Sequence, residues 1–124
     1  IPAAVGAKIA APDRQVVAVC GDGGFQMSMF ELGTIAANEI DLKIVLFNNS
    51  HLGMVREIQN RVFGQNSHTA LDKNPDFVML AKAYGISGVR VEKDEDLKSA
   101  FDQALSHKGP FLVECVVDPD ESTL

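Results

Sequence analysis

The sequence predicts an α/β protein built on a doubly wound, mostly parallel sheet with helices on both faces. Three observations carry that prediction. Two short, almost uninterrupted apolar runs, Gln15 to Cys20 and Lys43 to Phe47, have the β-branched content of strands buried on both faces. A stretch with helical period, Ser28 to Ala37, lies between them, so strand, helix and strand form a unit whose two strands run parallel. The same alternation continues to the end of the chain and raises the number of expected strands to four.

The elements follow in order. Ile1 to Lys8, rich in small residues, reads as helix. The strand Gln15 to Cys20 is broken at Gly21 to Gly24. In the helical stretch after it, Met29, Leu32, Ile35 and Ala36 fall on one face. The second strand stops at Asn48-Asn49. Leu52 to Val62 reads as helix and the polar stretch Phe63 to Lys73 as irregular. Asn74-Pro75 predicts a helix start, with Asn as the cap and Pro at the first helical position. That helix, Asp76 to Tyr84, ends at Gly85, a residue that adopts the left-handed conformation without a Cβ clash. Gly88 to Val91 is a short strand. Asp94 opens another helix, where acids at 94, 95 and 96 complement the dipole and Leu97, Ala100, Phe101, Ala104 and Leu105 form the apolar stripe. Gly109-Pro110 turns the chain into a last strand, Phe111 to Val117. Residues 1–117 are expected to form one α/β domain and 118–124 a tail or linker; no segment repeats.

Composition narrows the function classes. The 124 residues suffice for one domain but not for two well-packed ones. Opening on Ile1 rather than Met, inside a helix-like stretch, the chain reads as a fragment of a longer polypeptide. It shows no positive leader with a cleavage site and no apolar run near the ~20 residues that span a bilayer. A cytoplasmic protein with no membrane partner is therefore expected. Seventeen acids against eleven bases leave a net charge of -6 without a Lys/Arg cluster, which speaks against nucleic acid as the partner. Cys20 and Cys115, each in an apolar run, are expected to be reduced, buried thiols rather than a disulfide.

Chemistry concentrates where the first two strands end. Ligands of open parallel sheets bind beyond the carboxyl ends of the strands. Gly21-Asp22-Gly23-Gly24 follows the first strand and Asn48-Asn49 the second, so one crossover helix places both at the same edge. The glycines permit a tight turn and leave N–H groups uncovered near a helix start, where phosphate oxygens are stabilised. Asp22 offers a carboxylate and the asparagines amide oxygens, the hard oxygen donors that magnesium prefers beside phosphate. An acidic chain that holds a diphosphate needs such a cation for positive potential. No Cys/His cluster has zinc spacing. Each motif alone is an ordinary turn sequence; their placement after two buried strands is what gives them weight. A dinucleotide site fits poorly, because no third glycine follows at Gln26 or Met27 and asparagines replace the acid that should end the second strand.

With these residues in hand, the chain resembles the thiamine diphosphate-dependent enzymes that act on 2-ketoacids. Gly21-Asp22-Gly23, 24 intervening residues and Asn48-Asn49 match the cofactor signature of that superfamily. Ile1-Pro2-Ala3-Ala4-Val5-Gly6-Ala7 looks like the helix that precedes the signature, and Asn48-Asn49-Ser50-His51-Leu52-Gly53-Met54-Val55 is most similar to acetolactate (acetohydroxyacid) synthase large subunits. The resemblance covers nearly the whole chain and implies the thiamine diphosphate-binding fold. It implies that Asp22 and Asn49 bind Mg2+ through side-chain oxygens and His51 through its backbone carbonyl. Gly23 and Gly24 would offer N–H groups to the diphosphate, Met54 would lie near the cofactor and substrate cavity, and Gly21, Leu52 and Gly53 complete the implied cofactor-binding set.

The implied activity is decarboxylation of pyruvate and transfer of the two-carbon unit to a second 2-ketoacid, as in branched-chain amino-acid biosynthesis, with the cofactor as electron sink. Related pyruvate oxidases, 2-ketoacid decarboxylases and carboligases share the signature, and a non-catalytic nucleotide- or diphosphate-binding module is the alternative of another class. The implied partners are the 2-ketoacid substrate, further copies of the chain in a homo-oligomer with a shared active site, and a regulatory subunit; FAD in the full-length enzyme stays open. No catalytic residue is identifiable in these 124 residues, since the glutamate that activates the cofactor is expected in another domain. The isolated chain is accordingly expected to be inactive. One departure concerns Ile58, which stands where biosynthetic synthases carry a Trp that shapes the acceptor pocket, so the acceptor stays open. His68 and His107 are expected to be exposed and structural.

Overall fold

A computed structural model describes residues 1–120 of the chain. Six helices and four strands alternate: α1 (Pro2–Ala10), β1 (Val16–Gly21), α2 (Asp22–Gln26), α3 (Glu31–Ala37), β2 (Leu42–Asn48), α4 (Gly53–Phe63), α5 (Phe77–Ala83), β3 (Ser87–Val91), α6 (Asp94–Ser106) and β4 (Phe111–Val116). The strands pair in the order β1-β2-β4-β3, and all three pairings are parallel. Register runs from Val16 opposite Leu42 to Gly21 opposite Phe47 across the first pair, so Asp22 and Asn48 leave the sheet side by side.

The path of the chain explains the two layers. From β1 to β2 and on to β3 the chain moves in one direction across the sheet, and from β3 to β4 it returns. Right-handed crossovers therefore put α3 and α5 on one face and α6 on the other. Side-chain alternation agrees. Leu42, Ile44, Leu46 and Leu112 pack with Val5, Leu32, Ile35, Phe77 and Ala81 on the first face. Val45, Val113, Cys115 and Val91 pack with Ala100 and Ala104 of α6 on the second. The sheet is thus buried on both sides at β2 and β4, as a parallel sheet with helices on both faces requires.

Several expectations are corrected. The segment Gln15 to Cys20 reads as buried on both faces, yet Val17 and Val19 are exposed, because α6 packs on β3 and β4 and leaves the second face of β1 uncovered. The expected helix Ser28 to Ala37 is shortened to Glu31–Ala37, and a separate short helix precedes it. The chain turns helical at Asp22, directly after the strand, then passes through Met27–Phe30 on three-residue hydrogen bonds such as Glu31 N–H to Ser28 O (3.1 Å) and Leu32 N–H to Met29 O (3.0 Å). That change of pitch turns Met29 out of the apolar face. Asn74 does not cap the next helix. Pro75 disfavours the helical conformation at the residue before it, and the helix begins two residues later, with Asp76 Oδ1 accepting from Met79 N–H (2.8 Å). In α6 the buried stripe stops at Ala104 and leaves Leu105 exposed.

His68 is exposed, as expected, but His107 is half-buried. Its ring meets Phe111 edge-on at 5.1 Å, and its carbonyl accepts from the buried Lys43 ammonium (2.8 Å). Both cysteines are free thiols, Cys115 buried and Cys20 partly so. Among the described residues no helix is long and apolar enough to cross a membrane. Of the expected tail, residues 118–120 lie against α4, where Arg56 donates to the Pro119 carbonyl and the Asp120 carboxylate; residues 121–124 lie outside the described residues.

Candidate functional site

A cleft of about 1020 Å³ opens at the carboxyl ends of β1 and β2. Gly21, Asp22, Gly23 and Gly24 line one wall, Asn49, His51, Leu52, Gly53 and Met54 another. Residues 21–24, 49 and 51–54, the whole set expected to bind cofactor, thus surround one space. Asn48 is absent from the lining, and so is Ile58, which lies half-exposed on α4.

Local chemistry shapes this edge. Asn48 Oδ1 accepts from Ser50 N–H (3.1 Å) and Asn49 Oδ1 from His51 N–H (3.0 Å), two successive turns closed by asparagine side chains. They bring Ser50 to a positive φ of 55°. The turn reading of the Asn pair is therefore correct, and of the two only Asn49 also lines the cleft. Beyond the turn, Leu52 N–H donates to Thr69 O (2.8 Å) and Leu71 N–H to Ser50 O (2.7 Å), which pins the irregular 63–73 segment under the cleft. At two glycines an added Cβ would press on the end of a neighbouring side chain, which would have to shift. A Cβ at Gly23 would stand 2.7 Å from Leu52 Cδ2, and one at Gly53 would stand 2.9 Å from Asn49 Nδ2.

Asp22 is 1% exposed, an expensive position for a carboxylate without partners. Oδ1 accepts from Gly23 N–H (3.0 Å) and Oδ2 from Asn74 Nδ2 (2.7 Å). Each oxygen keeps a lone pair for a further partner. No hydrogen bond among the described residues ends on the His51 carbonyl, and the His51 ring meets the Asn49 carbonyl (2.9 Å). A Cβ on Gly24 would have open space around it, so the backbone there lies bare to the cleft. Among the described residues no group of three His, Cys, Asp or Glu side chains is poised for a metal. The donors on offer are one carboxylate, the Asn49 amide oxygen and the His51 carbonyl. Such an all-oxygen set suits magnesium shared with phosphate oxygens and water, and the bare backbone at Gly24 leaves room for a diphosphate.

Residues 1–115 match the family model described as thiamine pyrophosphate enzyme, C-terminal TPP binding domain. The chain belongs to this family. Among curated proteins it is 46% identical over 124 residues to the acetolactate synthase large subunit of Cyanidium caldarium, covering 98% of this chain and 21% of that protein. It is 44% identical to the acetolactate synthase isozyme 2 large subunit of Escherichia coli K12, covering 98% and 22%. Among solved structures, the thiamine diphosphate-dependent 4-hydroxybenzoylformate decarboxylase of Rhodococcus jostii RHA1 superposes with a TM-score of 0.89 at 36% identity, over 98% of this chain and 23% of that one. The chain thus spans about a fifth of the length of the relatives it matches.

In this thiamine pyrophosphate-binding chain the fold also gathers residues that sequence reasoning missed. Asn74, read as a helix cap, reaches across to Asp22. Gln26 Nε2 donates to Asn74 Oδ1 (2.9 Å). Glu114, fully buried in β4, accepts from Asn48 Nδ2 (2.8 Å) and from Arg90 Nε (2.9 Å). That hydrogen bond to Glu114 raises the Arg90 pKa above its ordinary value and outweighs the opposing effect of burial. A signal for Glu114 was present: a lone acid inside the apolar run Phe111-Leu112-Val113-Glu114-Cys115-Val116 must find a partner. For Asn74 the signal was Pro75, which keeps the residue before it out of the helix.

Proposed function

We propose that the chain is the diphosphate- and magnesium-holding part of an acetolactate synthase, which decarboxylates pyruvate and joins the two-carbon unit to a second 2-ketoacid. The observation that carries this reading is the convergence of Asp22, Asn49 and His51 on one cleft in a chain whose curated relatives are acetolactate synthase large subunits. In this reading Asp22 and Asn49 hold the cation by side-chain oxygens and His51 by its carbonyl. Gly23 and Gly24 admit the diphosphate by having no side chain, and Leu52, Gly53 and Met54 wall the space beside it. Thiamine diphosphate supplies the electron sink for the carbon–carbon chemistry. The chain's own part is positioning and electrostatics; no residue of the cleft is assigned to FAD.

Homo-oligomerisation with a shared active site belongs to the same proposal. No residue of α4 is buried, and Met54, Val55, Ile58, Val62 and Phe63 expose an apolar surface beside the cleft that a second subunit or the rest of the protein would cover. A regulatory subunit is proposed on the same ground of likeness, because relatives are named as large subunits. A second reading, a 2-ketoacid decarboxylase, is favoured by the structural likeness to the 4-hydroxybenzoylformate enzyme and by Ile58 in place of Trp.

Calorimetry on the intact protein tests the cofactor assignment. Thiamine diphosphate should bind with heat that depends on Mg2+, and the Asp22→Ala variant should lose that dependence. Equal binding with and without the cation would sink the reading. Product analysis with pyruvate then separates the two activities: acetolactate for the synthase, free aldehyde for the decarboxylase.

A further inference from the structure

The cleft does not by itself require the polar row behind it. Asp22, Asn48, Glu114 and Arg90 stand at alternate positions of neighbouring strands or their exits, all toward the α3/α5 face at the carboxyl edge. Glu114 has 0% exposure in an otherwise apolar strand. Its carboxylate can only accept, so the Asn48 amide must present its NH2 group there (2.8 Å). Asn48 Oδ1 is thereby turned to Ser50 N–H and to Asn74 Nδ2 (3.2 Å). Asn74 holds its own orientation by donating to Asn48 and accepting from Gln26, and it gives its remaining N–H to Asp22 Oδ2 (2.7 Å). The polarity of each amide is determined in turn from one buried acid to the other. Arg90 Nε (2.9 Å) occupies the second oxygen of Glu114 and keeps it from competing for other donors.

We propose that Glu114, acting through Asn48 and Asn74, is a positioning residue that orients the Asp22 carboxylate toward the divalent cation. The proposal rests on the cofactor reading above. Glu114 touches neither cation nor cofactor in it. Its function is to set which Asp22 oxygen is held and which lone pairs remain for the metal. Gln at 114 offers one acceptor where Glu offers two. Either Arg90 loses its bond to position 114 and keeps only its ion pair with Asp76 (3.4 Å), or Asn48 turns over and sets its NH2 group against that of Asn74.

Mn2+ binding to the intact protein at saturating thiamine diphosphate is the test, followed through the electron paramagnetic resonance signal of free Mn2+. Glu114→Gln and Asn74→Ala should each weaken Mn2+ binding about tenfold, the lower end of what loss of a ligand's hydrogen-bonding partner costs. The double variant should bind no worse than the weaker single one, because the two act in series. Full additivity, or Glu114→Gln within twofold of the unaltered protein, overturns the inference. Asp22→Ala separates the two levels: if it abolishes Mn2+ binding while Glu114→Gln does not weaken it, only this inference fails, whereas retained binding in Asp22→Ala removes the cofactor reading and this inference together. Should Glu114→Gln not fold, Asn74→Ala, at a half-buried loop residue, decides alone, with a loss under twofold as the overturning result.

Discussion

Truncating Phe25 should damage the cleft from beneath. The residue belongs to α2, which at five residues is too short to hold itself. What anchors α2 is the Phe25 side chain, fully buried and set edge-on to Phe77 of α5 with ring centroids 5.5 Å apart at 89°. Buried Phe→Ala substitutions cost about 3–5 kcal/mol, and a T-shaped ring pair contributes about 0.5–1.5 kcal/mol of that kind of total. Phe25→Ala is therefore expected to cost about 4 kcal/mol, and the cycle with Phe77→Ala to return a coupling of about 1 kcal/mol. Native-state hydrogen exchange of the β1, α2 and β2 amides is the suitable assay, because it reads local opening. Phe25→Leu, which keeps most of the volume, should cost less than about 1.5 kcal/mol. A loss below about 1 kcal/mol for Phe25→Ala, or a coupling near zero, would refute the claim that this ring anchors the Gly21–Gly24 backbone.

Two further predictions concern the opposite end of the sheet and the thiols. Lys43 is 3% exposed, and its ammonium donates to Asp41 (2.6 Å), to the His107 carbonyl (2.8 Å) and to the Gly109 carbonyl (2.6 Å). Lys43→Met keeps the stem but leaves those carbonyls without their donor, at about 1–3 kcal/mol for each unsatisfied group. A loss of about 2–4 kcal/mol should appear as faster exchange at the end of α6, and a change under 0.5 kcal/mol, on the order of a neutral surface substitution, would contradict it. Burial raises the thiol pKa of Cys20, and burial together with the neighbouring Glu114 raises that of Cys115. The folded chain thus binds more protons than the unfolded one above the ordinary thiol pKa. Stability from these groups is fully present below that value and is lost as pH rises through the higher folded values. Iodoacetamide modification should accelerate at a higher pH than for a free thiol, and an overlapping profile would contradict this.

Much of this molecule is legible from local sequence. The strand–helix alternation, the short loops and the positions of Gly21–Gly24 and Asn48-Asn49 after two strands follow from patterns a few residues long, because backbone hydrogen bonding and side-chain period are local matters. The parallel sheet follows from the same alternation. The resemblance to thiamine diphosphate enzymes was read from those residues, and the family match spans residues 1–115.

What needed the tertiary structure was everything decided by neighbours distant in sequence. Strand order determined that α6 covers β3 and β4 and that the second face of β1 stays open, since a run of valines does not say which strand lies at the edge. It also separated two asparagines that look equivalent on paper. Asn48 turns inward to Glu114, 66 positions away, while Asn49 lines the cleft. Asn74 moved from helix cap to partner of Asp22 for the same reason: a polar side chain takes the strongest acceptor within reach, and only the folded chain brings a buried carboxylate there.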